Sequence, residues 1–282
     1  MSSRTAAGPT RRDRWSVRAL VLVAAAALTL LLTSSAAALP AGERPLELLQ
    51  MNLCNSGEST SCYSFGHAVT EAVEMIHRYR PQVVTLQEIC RDDLYAPHGW
   101  GKLAQAMADL YGNSIEVDFT PTRDRLTGAE YHGCVNGQLY GIGVVHHATV
   151  HDVHLGWYTT QSRGGEVRAW TCSTVLAHRL TVCTTHLTIN RDVAAKQCAE
   201  LMATLTAATW LTPDVIISGD LNLQVEPGQP HDVRRCVPPG FDRHDDGSVQ
   251  QVFSTGGVHW VEGSHEPLPG TDHPLLIQSF RV

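Results

Sequence analysis

The sequence predicts an α/β fold in which two packed sheets are flanked by helices. Three observations point there. Short apolar runs bounded by Pro, Gly and Asp read as buried strands, amphipathic stretches separate them in the first half of the chain, and Tyr140 to His186 reads mostly as strand. Helices alternating with strands, followed by hairpins, suit sheets that bury one face on each other and the other under helices.

Leu46 to Leu53 is a first strand, with Asn52 near its end. Ala68, Ala72, Met75, Ile76 and Tyr79 mark one face of a helix that Pro81 ends. Val83 to Glu88 is a second strand, closing on a carboxylate. Leu103, Met107 and Leu110 predict a second helix. Ile142 to Val150, Val167 to Val175 and Leu180 to Leu187 are strands, and the last delivers His186. Asp192 to Leu211, with Ala195, Cys198, Ala199, Met202 and Leu205, is a third helix. It leads to the strand Val215 to Ile217, entered from Pro213-Asp214 and running into Gly219-Asp220-Leu221-Asn222. Ser248 to Phe253 is a further strand, and Asp272-His273 precedes a final one, Leu275 to Val282.

Side chains alternate faces along a strand, so Asp220 and Asn222 are expected on one side. A carboxylate and an amide aimed at one point suit a hydrolytic site; the same residues also read as a strand followed by an Asx turn. Glu88 could be ion-paired, and a lone histidine can be a satisfied core residue. A purely structural reading leaves unexplained why strand after strand ends in Asn52, Glu88, His186, Asp220 or Asp272-His273.

Taken in order, Gln50-Met51-Asn52, Leu86-Gln87-Glu88, Thr185-His186-Leu187, Gly219-Asp220-Leu221-Asn222 and Thr271-Asp272-His273 resemble the endonuclease/exonuclease/phosphatase superfamily, the DNase I-like fold, across residues 50–273. The resemblance implies a four-layer α/β sandwich with its active site at one end of the sheets. It also implies a divalent-metal-dependent phosphoester hydrolase, with Glu88 anchoring Mg²⁺ (or Mn²⁺ or Ca²⁺) and Asn52 and Asp272 completing or bracing that site. By the same resemblance Asp220 accepts a proton from water, Asn222 orients water or a phosphate oxygen, and His186 and His273 donate to the developing phosphorane or the leaving oxygen. Arg168, with Arg163 as competitor, resembles a phosphate-contacting arginine, and Tyr140 resembles the residue before the central strand. Each reads as readily as an ordinary strand residue.

Two departures stand out. Gln250 occupies the position where relatives place an aspartate that orients and charges the final histidine; its oxygen is expected to accept the imidazole N–H without supplying charge. Asp245 and Asp246 are alternative sources of that charge and also read as turn residues. Val144-Val145-His146-His147 stands where relatives end a strand in Ser-Arg.

Three functions follow. The first is a nuclease on DNA or RNA. The second is a sphingomyelinase-like or inositol-phosphatase-like enzyme on a lipid or small phosphoester, for which Leu155-Gly156-Trp157-Tyr158 is the candidate docking hairpin. The third is a non-catalytic binding protein. No stable protein partner is implied, and a monomer is expected.

Export is expected as well. Residues 1–18 carry five arginines and one aspartate, Ala19 to Leu32 form an apolar run of 14 residues, and Ala36-Ala37-Ala38 offers a cleavage site. Residues 1–38 therefore read as a signal peptide and 39–282 as one catalytic domain, with an uncleaved anchor as the alternative. Arg11-Arg12 followed by Asp13-Arg14 leaves the export route open. Losing a net +4 takes the formal charge from −7 to −11, which disfavours passive nucleic-acid binding but not metal-assisted hydrolysis. Eight cysteines in an exported chain favour disulfides. A hairpin turning at Ala177-His178 sets Cys172 opposite Cys183. Cys54–Cys62, Cys198–Cys236 and Cys90–Cys134 is one arrangement of the other six.

Overall fold

The computed structural model describes residues 43–147, 150–175 and 179–282; the leader segment and the turn expected at Ala177-His178 lie outside these. Among the described residues the long strands are β1 (Pro45–Asn52), β2 (Val83–Cys90), β3 (Ile115–Pro121), β4 (Tyr140–His147), β5 (Val150–Trp157) and β6 (Ala169–Val175). They continue as β7 (Leu180–His186), β8 (Asp214–Asp220), β9 (Phe241–Asp245), β10 (Gln250–Thr255), β11 (His259–Glu266) and β12 (Leu275–Arg281). The longer helices are α1 (His67–Tyr79), α2 (Lys102–Tyr111) and α3 (Arg191–Ala207).

One mixed sheet runs β11-β12-β1-β2-β4-β3 and the other β9-β10-β8-β7-β6-β5. Each has a single parallel pair, β1 with β2 and β7 with β8. Parallel neighbours need a crossover, and α1 and α3 supply the two. Ala68, Ala72 and Ile76 of α1 and Leu103 and Met107 of α2 cover Leu49, Met51, Val84 and Leu86. Ala194, Cys198, Leu201 and Leu205 of α3 cover Val215, Ile217 and Phe253. Between the sheets lie Leu46, Leu48, Val83, Val144, Leu180, Val182, Ile216, Val252 and Phe280. The result is the four-layer sandwich, helix on sheet on sheet on helix.

The structure corrects several boundaries. The strand expected from Ile142 to Val150 is two: β4 ends at His147 and β5 begins at Val150 in the other sheet. No Gly, Pro, Asn or Asp stands between Val144 and His151, so no turn signal in the sequence marks where the chain changes sheets. The third helix stops at Ala207 rather than Leu211. Strands β3, β9 and β11 were not foreseen, and all three are sheet edges. An edge strand packs on fewer neighbours and carries polar residues such as the exposed run of β11, so no apolar run announces it.

Disulfides join Cys54 to Cys62, Cys90 to Cys134, Cys172 to Cys183 and Cys198 to Cys236. Cys172 and Cys183 are directly paired in the β6–β7 ladder. Among the described residues no helix is long and apolar enough to cross a membrane.

His146 is the outlier of the inter-sheet core. It is fully buried on the face that Val144 presents, and neither ring nitrogen has a hydrogen-bond partner. Asp118 is 3.9 Å from its Nε2, but burial pushes that carboxyl up and Ser173 occupies it. Burial holds the His146 pKa down at about 4, below its ordinary 6.5. The unfolded chain therefore takes up a proton that the folded chain refuses, and stability falls as pH drops from 6.5 through 4. Thermal melts across that window should show His146→Leu losing less stability on acidification than the wild type; parallel curves would remove His146 as a cause.

Candidate active site

Toward one end of the strands the inter-sheet core changes character. The inward positions of β1 read Leu46, Leu48, Gln50, Asn52; those of β2 read Val83, Thr85, Gln87. On β7 they read Leu180, Val182, Thr184, His186, and on β8 Ile216, Ser218, Asp220. Each row passes from apolar groups to hydroxyls and amides, and three of the four close on a residue of the candidate site.

The middle layer is a closed polar network, fully buried at Gln50, Thr85, Gln87, Thr184, Ser218 and Gln250. Gln50 and Gln87 bond reciprocally through their amides. Thr85 Oγ1 donates to Gln50 Oε1 at 2.7 Å, and Gln50 Nε2 donates to Gln250 Oε1 at 2.7 Å. Gln87 Nε2 donates to Thr184 Oγ1 and Ser218 Oγ to Thr85 Oγ1, both at 2.8 Å. These bonds tie the two sheets together directly under the site.

Asp220 ends β8 at the centre of the site, 1% exposed. Its Oδ1 accepts the backbone N–H of Asn222 at 2.9 Å and its Oδ2 accepts Asn52 Nδ2 at 2.9 Å. The Asp-x-Asn pair is thus an Asx turn as well as part of the site. Strand alternation does not extend to Asn222, whose φ is +50°; its side chain donates to the Leu187 carbonyl at 2.9 Å and ties the end of β8 to the residue after β7. Gly219 is required here because a Cβ would fall onto the Thr185 carbonyl oxygen of the parallel neighbour.

Asn52 also donates to Glu88 Oε1 at 3.0 Å, while its own oxygen accepts the Cys54 N–H. It therefore braces the two carboxylates with nitrogen. Glu88 follows the inward Gln87 and would point away by simple alternation. A register shift between Leu86 and Ile89, with Glu88 at φ +53°, turns it into the site. Burial, opposed by the Asn52 hydrogen bond and Arg168 and assisted by Asp220 and Glu166, pushes its carboxyl up to about 7.

Both histidines are oriented through Nδ1. Arg168 donates to His186 Nδ1 at 2.5 Å and is itself held by Glu166 at 3.0 Å. A guanidinium only donates, so His186 carries its proton on Nε2, which faces Glu88 Oε1 at 3.7 Å and Asp220 Oδ2 at 3.9 Å. Burial and Arg168 hold this imidazole well below the ordinary histidine range. Gln250 places its nitrogen 3.3 Å from His273 Nδ1, because its oxygen is engaged by Gln50. The expected direction, a glutamine oxygen accepting from the imidazole, is therefore reversed. His273 Nε2 lies 3.3 Å from Asp220 Oδ2.

A cavity of about 400 Å³ is lined by Glu88, Tyr140, Arg168, His186, Asp220, Asn222, Asp272 and His273. Asp272 is 57% exposed on its edge, and Thr271 Oγ1 anchors that loop to the Asn52 carbonyl at 3.0 Å. Arg163 lines a neighbouring cavity and not this one. Asp245 and Asp246 accept backbone N–H groups of Gly247 and Ser248 at 2.7 Å, as turn residues do. Sequence reasoning assigned no part to Gln50, Gln87, Thr271 or Glu166; the two-residue period linking Gln50 to Asn52 was the available signal.

Residues 62–273 match the Endonuclease/Exonuclease/phosphatase family. The chain belongs to that family. Members of the Endonuclease/Exonuclease/phosphatase family hydrolyse phosphoesters, commonly with divalent metals, and this geometry has the donors and carboxylates for it. Among curated proteins none matches the chain in sequence. Solved structures share the fold. An endonuclease/exonuclease/phosphatase from Beutenbergia cavernae is 17% identical with a TM-score of 0.59, over 85% of this chain and 72% of its own. The human Nocturnin catalytic domain with bound sulfate is 15% identical at 0.59, over 84% and 93%. Humanized D. rerio TDP2 is 16% identical at 0.58, over 84% and 99%.

The segment Leu155 to Tyr158 is no docking hairpin. It belongs to edge strand β5 and the residue after it, with Trp157 Nε1 donating to the Pro121 carbonyl and Tyr158 buried against Thr185.

Removing Gln50 tests the polar layer. Gln50→Leu leaves the buried amide oxygens of Gln87 and Gln250 without the Nε2 donor they share and should cost at least about 1–3 kcal/mol in urea unfolding. An unchanged midpoint and slope would show that the layer does not couple the sheets.

Proposed function

We propose that this protein is an exported, divalent-cation-dependent nuclease that hydrolyses phosphodiester bonds of DNA or RNA, with residues 39–282 as its catalytic domain. The observation that carries this reading is the setting of Asp220. One oxygen is fixed by a backbone amide, while the other faces Asn52 and two imidazole Nε2 atoms beside a second carboxylate. Asp220 takes the proton of the attacking water, a group it can hold in a fixed direction. His186 and His273, each with Nδ1 facing a donor, present Nε2–H to phosphoryl oxygens as charge builds there. Arg168 holds His186 and adds fixed positive charge at the cavity wall, and Asn222 holds Asp220.

Glu88 is the residue to hold the cation, with Asp272 on the same cavity. A buried carboxylate whose proton is held up to about 7 is a group that a cation would stabilise, and an oxygen-only donor set suits Mg²⁺, Mn²⁺ or Ca²⁺. Bound there, the ion supplies Lewis-acid stabilisation to the phosphate. The four disulfides, together with the leader read in residues 1–38, support export.

Oxidised protein spanning residues 39–282 should convert supercoiled plasmid to open circles with Mg²⁺ and not with EDTA. It should also hydrolyse bis(4-nitrophenyl) phosphate. Asp220→Asn should lower both rates by about 10²–10⁴-fold in a protein that still folds, as circular dichroism checks; wild-type rates in that variant would remove Asp220 as the base.

Because Glu88 must ionise to bind a cation, the Mg²⁺ concentration needed for half-maximal rate should rise as pH falls through about 7, toward tenfold per unit below it. Metal titrations at several pH values check this, and a flat dependence would take Glu88 out of the metal site.

A further inference from the structure

The segment that follows β1 carries an aromatic pair with no role in the chemistry above. Ser56, Ser59 and Cys62 line the catalytic cavity, and the Cys54–Cys62 disulfide closes the loop between β1 and the cavity edge. Three residues on, Phe65 stands 88% exposed with a φ of +56°. A bulky L side chain rarely takes that conformation, and such strain persists where the surroundings enforce it. Here they do. Tyr63 N donates to Ser59 O at 3.1 Å, Ser64 Oγ donates to the Gly270 carbonyl at 2.5 Å and accepts the Ala68 N–H at 3.1 Å. The Tyr63 ring backs Phe65 with centroids 4.9 Å apart. Phe65 Cα is thus no more than about 11 Å along the chain from Cys62 Cα, and its neighbour is tied two residues ahead of Asp272. The fold keeps a left-handed backbone that holds an aromatic ring out in water, three residues along the chain from a cysteine that lines the catalytic cavity.

We propose that Phe65, backed by Tyr63, is a stacking platform for a nucleobase flanking the scissile phosphate. The proposal rests on the nuclease reading and deepens it. A chain with a formal charge of −7 gains little from neutralising phosphates along a polynucleotide. Stacking on an aromatic ring supplies about 1–3 kcal/mol per base and tolerates any sequence. Such a platform selects polynucleotides over phosphoesters that carry no base and leaves the reading of sequence to other contacts.

Phe65→Leu and Phe65→Trp separate a stacking face from mere apolarity, and the residue's exposure means that neither should shift the melting temperature. On a single-stranded oligonucleotide Phe65→Leu should raise KM by about 5- to 100-fold, the loss falling on KM rather than kcat, while Phe65→Trp should stay within about threefold of wild type. With abasic sites flanking the cleavage position, the gap between wild type and Phe65→Leu should close. A wild type that hydrolyses bis(4-nitrophenyl) phosphate but no oligonucleotide would sink the nuclease reading and this proposal together. Cleavage by wild type and Phe65→Leu with equal KM would sink the platform alone. So would a Trp variant as poor as the Leu variant, or loss of binding to phosphatidylcholine vesicles in Phe65→Leu at unchanged oligonucleotide KM, which would make the ring a membrane contact.

Discussion

Everything at the active end of this protein hangs on the buried hydrogen bonds that join the two sheets. Gln50 sits at the crossing point, bonded to Thr85 and Gln87 in its own sheet and to Gln250 in the other. An apolar interface at this height would hold the sheets together without fixing their rotation or slip, because hydrophobic contact is non-directional. Amide and hydroxyl pairs accept only one register, and inside a protein an unmet partner is costly. The carboxylates and imidazoles of the site come from different sheets, so their separations of 3 to 4 Å inherit their precision from this layer.

Above it, geometry is purchased with local strain. Cys54, Glu88 and Asn222 all have left-handed backbone; Cys54 and Asn222 lie just beyond the end of an inner strand and Glu88 two residues before one. At Glu88 the conformation rotates a side chain that plain alternation would send under α1 and α2. At Asn222 it lets a backbone amide fold back onto Asp220. Covalent staples hold the same region: Cys54 lies two residues after Asn52 and Cys90 two after Glu88, and each is bridged to a residue outside the strands, Cys62 on the cavity itself and Cys134. A site on loops alone would not keep such conformations populated.

The two histidines share one design built from different parts. Arg168 and Gln250 each direct a donor to an imidazole Nδ1, which leaves Nε2 as the proton-bearing atom toward Asp220. A carboxylate in either place would instead favour imidazolium. Glutamine at 250 is therefore no simple weakening of an acidic partner; Gln50 decides which end of its amide the histidine meets.

Much of the fold was legible in one dimension. The apolar runs of β1, β2, β7 and β8 and the helical faces around Ala72, Met107 and Cys198 are written in the order of residues, since a buried strand is a short apolar run and a helix packs by its own repeat. So were the polar strand ends, because a carboxylate or imidazole closing an apolar strand stands out locally. The edges β3, β9 and β11, the crossing from β4 to β5, the turn of Glu88 into the site and the reversed amide of Gln250 were not legible. Each depends on a partner distant in sequence: Gln250 on Gln50, Glu88 on the register of β2 with β4, an edge strand on the sheet that receives it. The sequence alone determined which residues could carry the chemistry, because side-chain type and repeat are local properties. Tertiary structure decided where each one points, because direction is set by hydrogen bonds between residues that only the folded sheets bring together.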